Sequence, residues 1–145
     1  MTKSDDAAAL FKSGFNCSQS VLTAFGPSLG LDRDRCLRVA ASFGGGMGRM
    51  GKTCGAVTGA FMVIGLKNGA VRSDDAEAKK RTYALVNKFA EKFLARNKSL
   101  ECKDLLGCDL STEAGVKEMM AKDLHNTVCP KFIRDAAEIL EEMLK

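Results

Sequence analysis

The chain has 145 residues, 46% of them hydrophobic and 28% charged, and a formal net charge of +4. Chains of about 150 residues bury roughly 70% of their extended surface on folding, so a single domain over residues 1–145 is expected. Lys and Arg are interleaved with Asp and Glu, and one Tyr with no Trp offers no stacking platform for bases, so nucleic acid is not an expected partner.

The amino-terminal residues are polar and acidic, and residues 7–11 are too short for the apolar part of a signal peptide, which predicts a cytoplasmic protein. A first helix is predicted from an N-cap at Ser4 or Asp5 to a stop at Gly14, with Leu10 and Phe11 as apolar contacts. Asn16 suits the N-cap of a second, which carries Val21, Leu22 and Phe25 and breaks near Gly26-Pro27. Asp32 caps a third, with Cys36, Val39, Ala40 and Phe43 on one face and a stop at Gly44-Gly45-Gly46. Residues 44–53 are rich in glycine, and a helix then opens around Cys54 and runs to Gly69. Its residues 56–66 are the most apolar stretch, about half the length a membrane-spanning helix requires, so no membrane insertion is expected.

Ser73 is the expected cap of the longest helix, which reaches Asn97 and repeats Leu85, Phe89 and Phe93 along one side. After a turn over residues 101–109, Ser111-Thr112-Glu113-Ala114 opens another helix with Val116, Met119 and Met120 facing inward. Pro130 suits the first turn of the last helix, where Phe132, Ile133, Ala136, Ala137, Leu140, Met143 and Leu144 keep a helical stripe. No segment alternates as a strand does. The expected fold class is therefore all-α, a compact single-domain bundle of about six to seven helices.

Six cysteines in a chain that is not exported point to catalysis, redox sensing or metal binding, because cytosolic thiols are kept reduced. The thiolate is the reactive form, and a helix amino terminus stabilises it through unpaired N–H groups and the helix dipole. Cys17, Cys54 and Cys129 each fall at or within one turn of a predicted helix start, and Cys102 precedes a short turn at Leu105-Leu106. Cys54 has the strongest local case, with Arg49 and Lys52 close behind it and Gly51 and Gly55 allowing close approach, and is the candidate nucleophile. Cys36, on an apolar face, is expected to be a small buried hydrophobe.

The segments Phe15-Asn16-Cys17-Ser18-Gln19-Ser20-Val21, Phe43-Gly44-Gly45-Gly46-Met47-Gly48 and Cys54-Gly55-Ala56-Val57-Thr58-Gly59-Ala60, followed by Cys102 and Cys129, resemble the redox-active family named C_GCAxxG_C_C over nearly the whole chain. The resemblance implies a helical protein with a thiol redox role. It puts the family's four defining cysteines at Cys17, Cys54, Cys102 and Cys129 and leaves Cys36 and Cys108 outside the pattern. Gly55 and Gly59, one turn apart, also offer a surface without side chains against which a second helix can pack.

Two mechanisms fit four convergent thiols. In one, a Cys54 thiolate attacks a disulfide or peroxide supplied by a redox partner or small-molecule oxidant, Cys17 resolves the product, and Cys102 with Cys129 forms a second pair. In the other, the same four thiolates hold zinc or an iron–sulfur cluster, without the close ligand pairs such sites generally use. A third reading is a structural protein whose cysteines merely pack. No Cys-x-x-Cys occurs, so the chemistry is not of the thioredoxin type.

Gly46-Met47-Gly48-Arg49-Met50-Gly51-Lys52-Thr53 matches the phosphate-loop pattern GxxxxGK[ST], but a capped helix over residues 32–43 is expected where such a loop requires a strand. His125, four residues before Cys129, could face that thiol as a base or join a metal site, but its place at a helix end favours a solvated residue. Glu138, Glu141 and Glu142 read as a solvated face.

Overall fold

The computed structural model describes residues 2–145, and every regular element among the described residues is helical. Side-chain caps decide where most helices begin. Thr2 caps α1 (Lys3–Lys12): its hydroxyl accepts from the Asp5 N–H while the Asp5 carboxylate accepts from the Thr2 N–H. The helix therefore starts before the expected cap at Ser4 or Asp5, because Thr2 supplies the reciprocal pair. Asn16 and Gln19 form the same arrangement at α2 (Cys17–Phe25), which fixes Cys17 as the first helical residue. Asp32 accepts from the Arg35 N–H and starts α3 (Arg33–Ala40) after a short 3-10 turn at Pro27–Leu29.

Cys54 is the N-cap of α4 (Gly55–Asn68). Asp75, not Ser73, caps α5 (Ala76–Asn97), accepting from the Ala78 N–H, and residues 70–74 remain an exposed connection. Cys102 opens α6 (Cys102–Leu106), Thr112 caps α7 (Glu113–Ala121), α8 spans Leu124–Thr127, and Cys129 opens α9 (Cys129–Met143) with Pro130 in its first turn. The expected six or seven helices correspond to the seven of eight residues or more, with α6 and α8 as added single turns.

Helix α2 lies at the centre, packed against α1, α3, α4 and α9. Gly59 explains its approach to α4. A Cβ there would stand 2.9 Å from the Ser18 carbonyl oxygen and 3.2 Å from the Val21 Cβ, so the two backbones meet where α4 carries no side chain. On α5, Phe89 and Phe93 are fully buried. They join Phe61 of α4 to Phe132 of α9 through ring contacts with centroids 6.0 to 6.4 Å apart, a spacing that adds to the burial of each ring.

Two inward expectations fail. Cys36 and Ala40, one turn apart, are buried on α3, but Val39 is 52% exposed because an eight-residue helix presents only a narrow stripe to α2. On α7, Gly115 and Met119 face in and Met120 is 71% exposed, about 100° round the helix from its neighbour. No helix among the described residues is long and apolar enough to cross a membrane.

Candidate thiol site

The four cysteines named from the sequence are brought to one place. Cys17, Cys102 and Cys129 are the first residues of α2, α6 and α9, and Cys54 is the N-cap of α4. All four line a cavity of about 50 Å³ whose remaining wall is largely apolar, with Leu106, Leu110, Met119 and Phe132 among its residues.

An isolated antiparallel bridge between Thr53 and Glu101 positions two of them. The Cys54 N–H donates to the Leu100 carbonyl at 2.7 Å, and the Cys102 N–H donates to the Lys52 carbonyl at 2.6 Å. Residues 54 and 102 each follow a paired residue, so their side chains fall on one side of the bridge as diagonal neighbours. The other two stand on helices α2 and α9, which pack against each other. A Cβ on Gly55 would lie 3.1 Å from the Cys17 Cβ, so the start of α2 is pressed against the start of α4.

The glycine-rich segment closes the cavity. Backbone φ is positive at Gly45, Gly46, Met47, Gly48 and Arg49, between 57° and 67°, and again at Gly51. This is a left-handed turn held by the Arg49 N–H to the Gly44 carbonyl and the Lys52 N–H to the Gly46 carbonyl, both 3.0 Å. Such a conformation costs roughly 1–2 kcal/mol at a residue with a side chain, here Met47 and Arg49. Its return is close approach: a Cβ on Gly46 would stand 2.6 Å from the Cys102 Cβ. The phosphate-loop match dissolves in this geometry, since a 3-10 turn at Ala41–Phe43 precedes the segment and α4 begins two residues after it ends.

Ionisation divides the four thiols. Burial pushes Cys54 up to about 12, against the opposing N–H groups of Ala56 and Val57 at the start of α4. Burial does the same to Cys102, also up to about 12, aided by Cys54 and Cys129 beside it. Cys17 is raised well above its ordinary value by its hydrogen bond to Cys129 and by burial. Cys129 is lowered, because Cys17 donates to it and stabilises its thiolate more than burial opposes it. The expectation that Cys54 carries the depressed thiol is thus replaced by Cys129. The left-handed turn leaves Arg49 and Lys52 exposed, and neither acts on Cys54.

The other two cysteines stand apart from the cavity. Cys36 is fully buried, its Sγ donating to the Leu31 carbonyl at 3.2 Å and packed against Gly26. Cys108 is buried in the turn after α6, and all six thiols are free. His125, read from the sequence as a solvated helix-end residue, instead lines the cavity and lays its ring on Phe11, with centroids 4.4 Å apart. Burial lowers its pKa. Its spacing of four from Cys129 is the signal for this placement, outweighed in the sequence by its position at a helix end.

Among the described residues, no three Cys, His, Asp or Glu side chains form a group able to hold a metal ion. The four sulfurs share a space without forming a ligand set, and zinc or an iron–sulfur cluster would require them to move together. What the arrangement offers as it stands is one thiol whose ionisation is eased by a neighbouring thiol, with two further thiols held neutral within the same walls.

Comparison with curated proteins and with solved structures gives no match. The sequence model of the family described as "Putative redox-active protein (C_GCAxxG_C_C)" matches residues 15–143, a span that holds all four cavity cysteines, and the chain belongs to that family.

Proposed function

We propose that the protein carries out two-electron thiol–disulfide chemistry, with Cys129 as the attacking thiolate and Cys17 as the resolving thiol. The observation behind this reading is that Cys17 and Cys129 line one cavity, where their interaction raises the first thiol and lowers the second. Attack requires a thiolate, and resolution requires a second sulfur within reach of the first.

The Cys129 sulfur attacks one atom of the oxidant's S–S or O–O bond and displaces the other half as an anion. Cys17 then attacks the Cys129 sulfur, forms the Cys17–Cys129 disulfide and releases the remaining half. Two electrons pass to the oxidant, and the Cys17 proton and one from solvent end on its two leaving groups. Cys54 and Cys102, held neutral by burial, are the second dithiol within the same cavity. An external dithiol partner returns the protein to its reduced form, which suits a reducing compartment such as the cytoplasm.

Limiting oxidation of the anaerobically reduced chain, followed by peptide mapping, tests the proposal. A Cys17–Cys129 disulfide as the first product, absent in Cys129→Ser, is the expected result. Stoichiometric metal with all four thiols shielded from labelling would replace redox chemistry with metal binding.

A further inference from the structure

We infer that the oxidant this site admits is a small neutral hydroperoxide of the size of hydrogen peroxide, and not a peptide or low-molecular-weight disulfide. The inference rests on the thiol redox reading above and adds the substrate class.

Volume is the first argument. A water needs about 10–15 Å³ of cavity, so the cavity of about 50 Å³ admits on the order of three to five water-sized groups. Sites for drug-sized ligands run from about 300 to 1,000 Å³. Hydrogen peroxide, with two oxygen atoms, fits the first scale, and glutathione disulfide belongs to the second.

Access is the second. Cys54, Cys102 and Cys129 are 5%, 7% and 8% exposed, so the sulfurs face the cavity and not the surface. A thiolate attacks a disulfide along the S–S axis and needs the leaving sulfur on the far side of the bond, which brings the rest of the disulfide into the walls at Leu106, Leu110, Met119 and Phe132.

Charge is the third. No Lys, Arg, Asp or Glu lines the cavity, and the Asn16 side chain is already engaged, its Oδ1 by the Gln19 N–H and its Nδ2 by the Ala41 carbonyl. Burial disfavours the charged form of His125, the one histidine in the lining, so an oxidant bearing carboxylates gains little counter-charge there, whereas a neutral one loses little by entering.

The chemistry balances. The Cys129 thiolate attacks one peroxide oxygen, the O–O bond breaks, and Cys129 becomes a sulfenic acid while hydroxide leaves and takes a proton from solvent. Cys17 then attacks the Cys129 sulfur; the S–S bond forms, the S–O bond breaks, and the hydroxide leaves as water with the Cys17 proton. Two thiols and one hydrogen peroxide give one disulfide and two waters.

The test compares hydrogen peroxide with glutathione disulfide at equal concentration, on the reduced full-length chain, following loss of the Cys129 thiol by mass spectrometry. The same pair of rates measured in guanidinium gives the intrinsic preference of the unfolded thiols. Folding is expected to raise the ratio of peroxide to disulfide rates at least tenfold over the unfolded value. Leu106→Ala and, independently, Met119→Ala are expected to lower that folded ratio at least threefold by widening the cavity. A folded ratio equal to or below the unfolded one, with the Cys17–Cys129 disulfide still formed, would overturn the inference and leave the redox reading standing. Absence of that disulfide with either oxidant would overturn both.

Discussion

Cys17 and Cys129 stand on the first residues of two long-range neighbours, α2 and α9, while Cys54 and Cys102 are held side by side across the Thr53–Glu101 bridge under a left-handed turn. All four occupy helix starts, where a thiolate should be favoured. Yet burial keeps the bridge pair protonated to about pH 12, and only Cys129 falls below its ordinary value. The difference is one hydrogen bond: Cys129 has a thiol donating to it, and Cys54 has only backbone N–H groups set against full desolvation. Position at a helix start therefore does not by itself make a reactive thiol.

The largest test of that contrast is pH. Cys54 and Cys102 have folded pKa values near 12 against an ordinary value of 9.0, so the fold favours their neutral forms. That stability is fully present below pH 9 and is lost as pH rises from 9 through 12. Denaturant titrations across this window should show a falling midpoint, flattened in Cys54→Ser/Cys102→Ser; a midpoint that does not fall would contradict the burial account of the bridge pair.

Next in size is Gly46→Ala, which forces a side chain into a left-handed residue and against the Cys102 Cβ. A loss of about 2–4 kcal/mol is expected from conformational strain plus overpacking. Thermal unfolding measures it.

Cys17→Ala strikes the opposite half. Without its donor, the Cys129 pKa should rise, and its alkylation rate at neutral pH should fall on the order of tenfold for each unit gained. A rate that stays constant would remove the hydrogen bond from the account.

The smallest effect belongs to Cys36→Ala, outside both pairs. Loss of its contact with Gly26 and its bond to Leu31 should cost about 1 kcal/mol and leave Cys129 labelling unchanged.

Features fixed by local chemistry were readable from the sequence. Asn16, Asp32 and Thr112 announced helix starts because their side chains bond N–H groups three residues on. Gly55 and Gly59 announced a close helix crossing because nothing else leaves a helix surface bare. The glycines of residues 44–51 marked an unusual segment, but not its handedness, since Met47 and Arg49 adopt it against their own preference. The exposure of Val39 and Met120 depends on how wide a stripe each neighbour covers. Which thiol ionises was likewise illegible: it turns on the depth of Cys54 and on the meeting of Cys17 with Cys129, residues far apart in the chain that only the packing of α2 on α9 unites.

Site-resolved alkylation of the reduced, metal-free chain between pH 5 and pH 10 tests the division of the four thiols most directly. The account predicts that Cys129 is modified first, with a midpoint below the ordinary thiol value, while Cys54 and Cys102 stay protected throughout the range. Modification of Cys54 ahead of Cys129, or all four thiols titrating together, would contradict it.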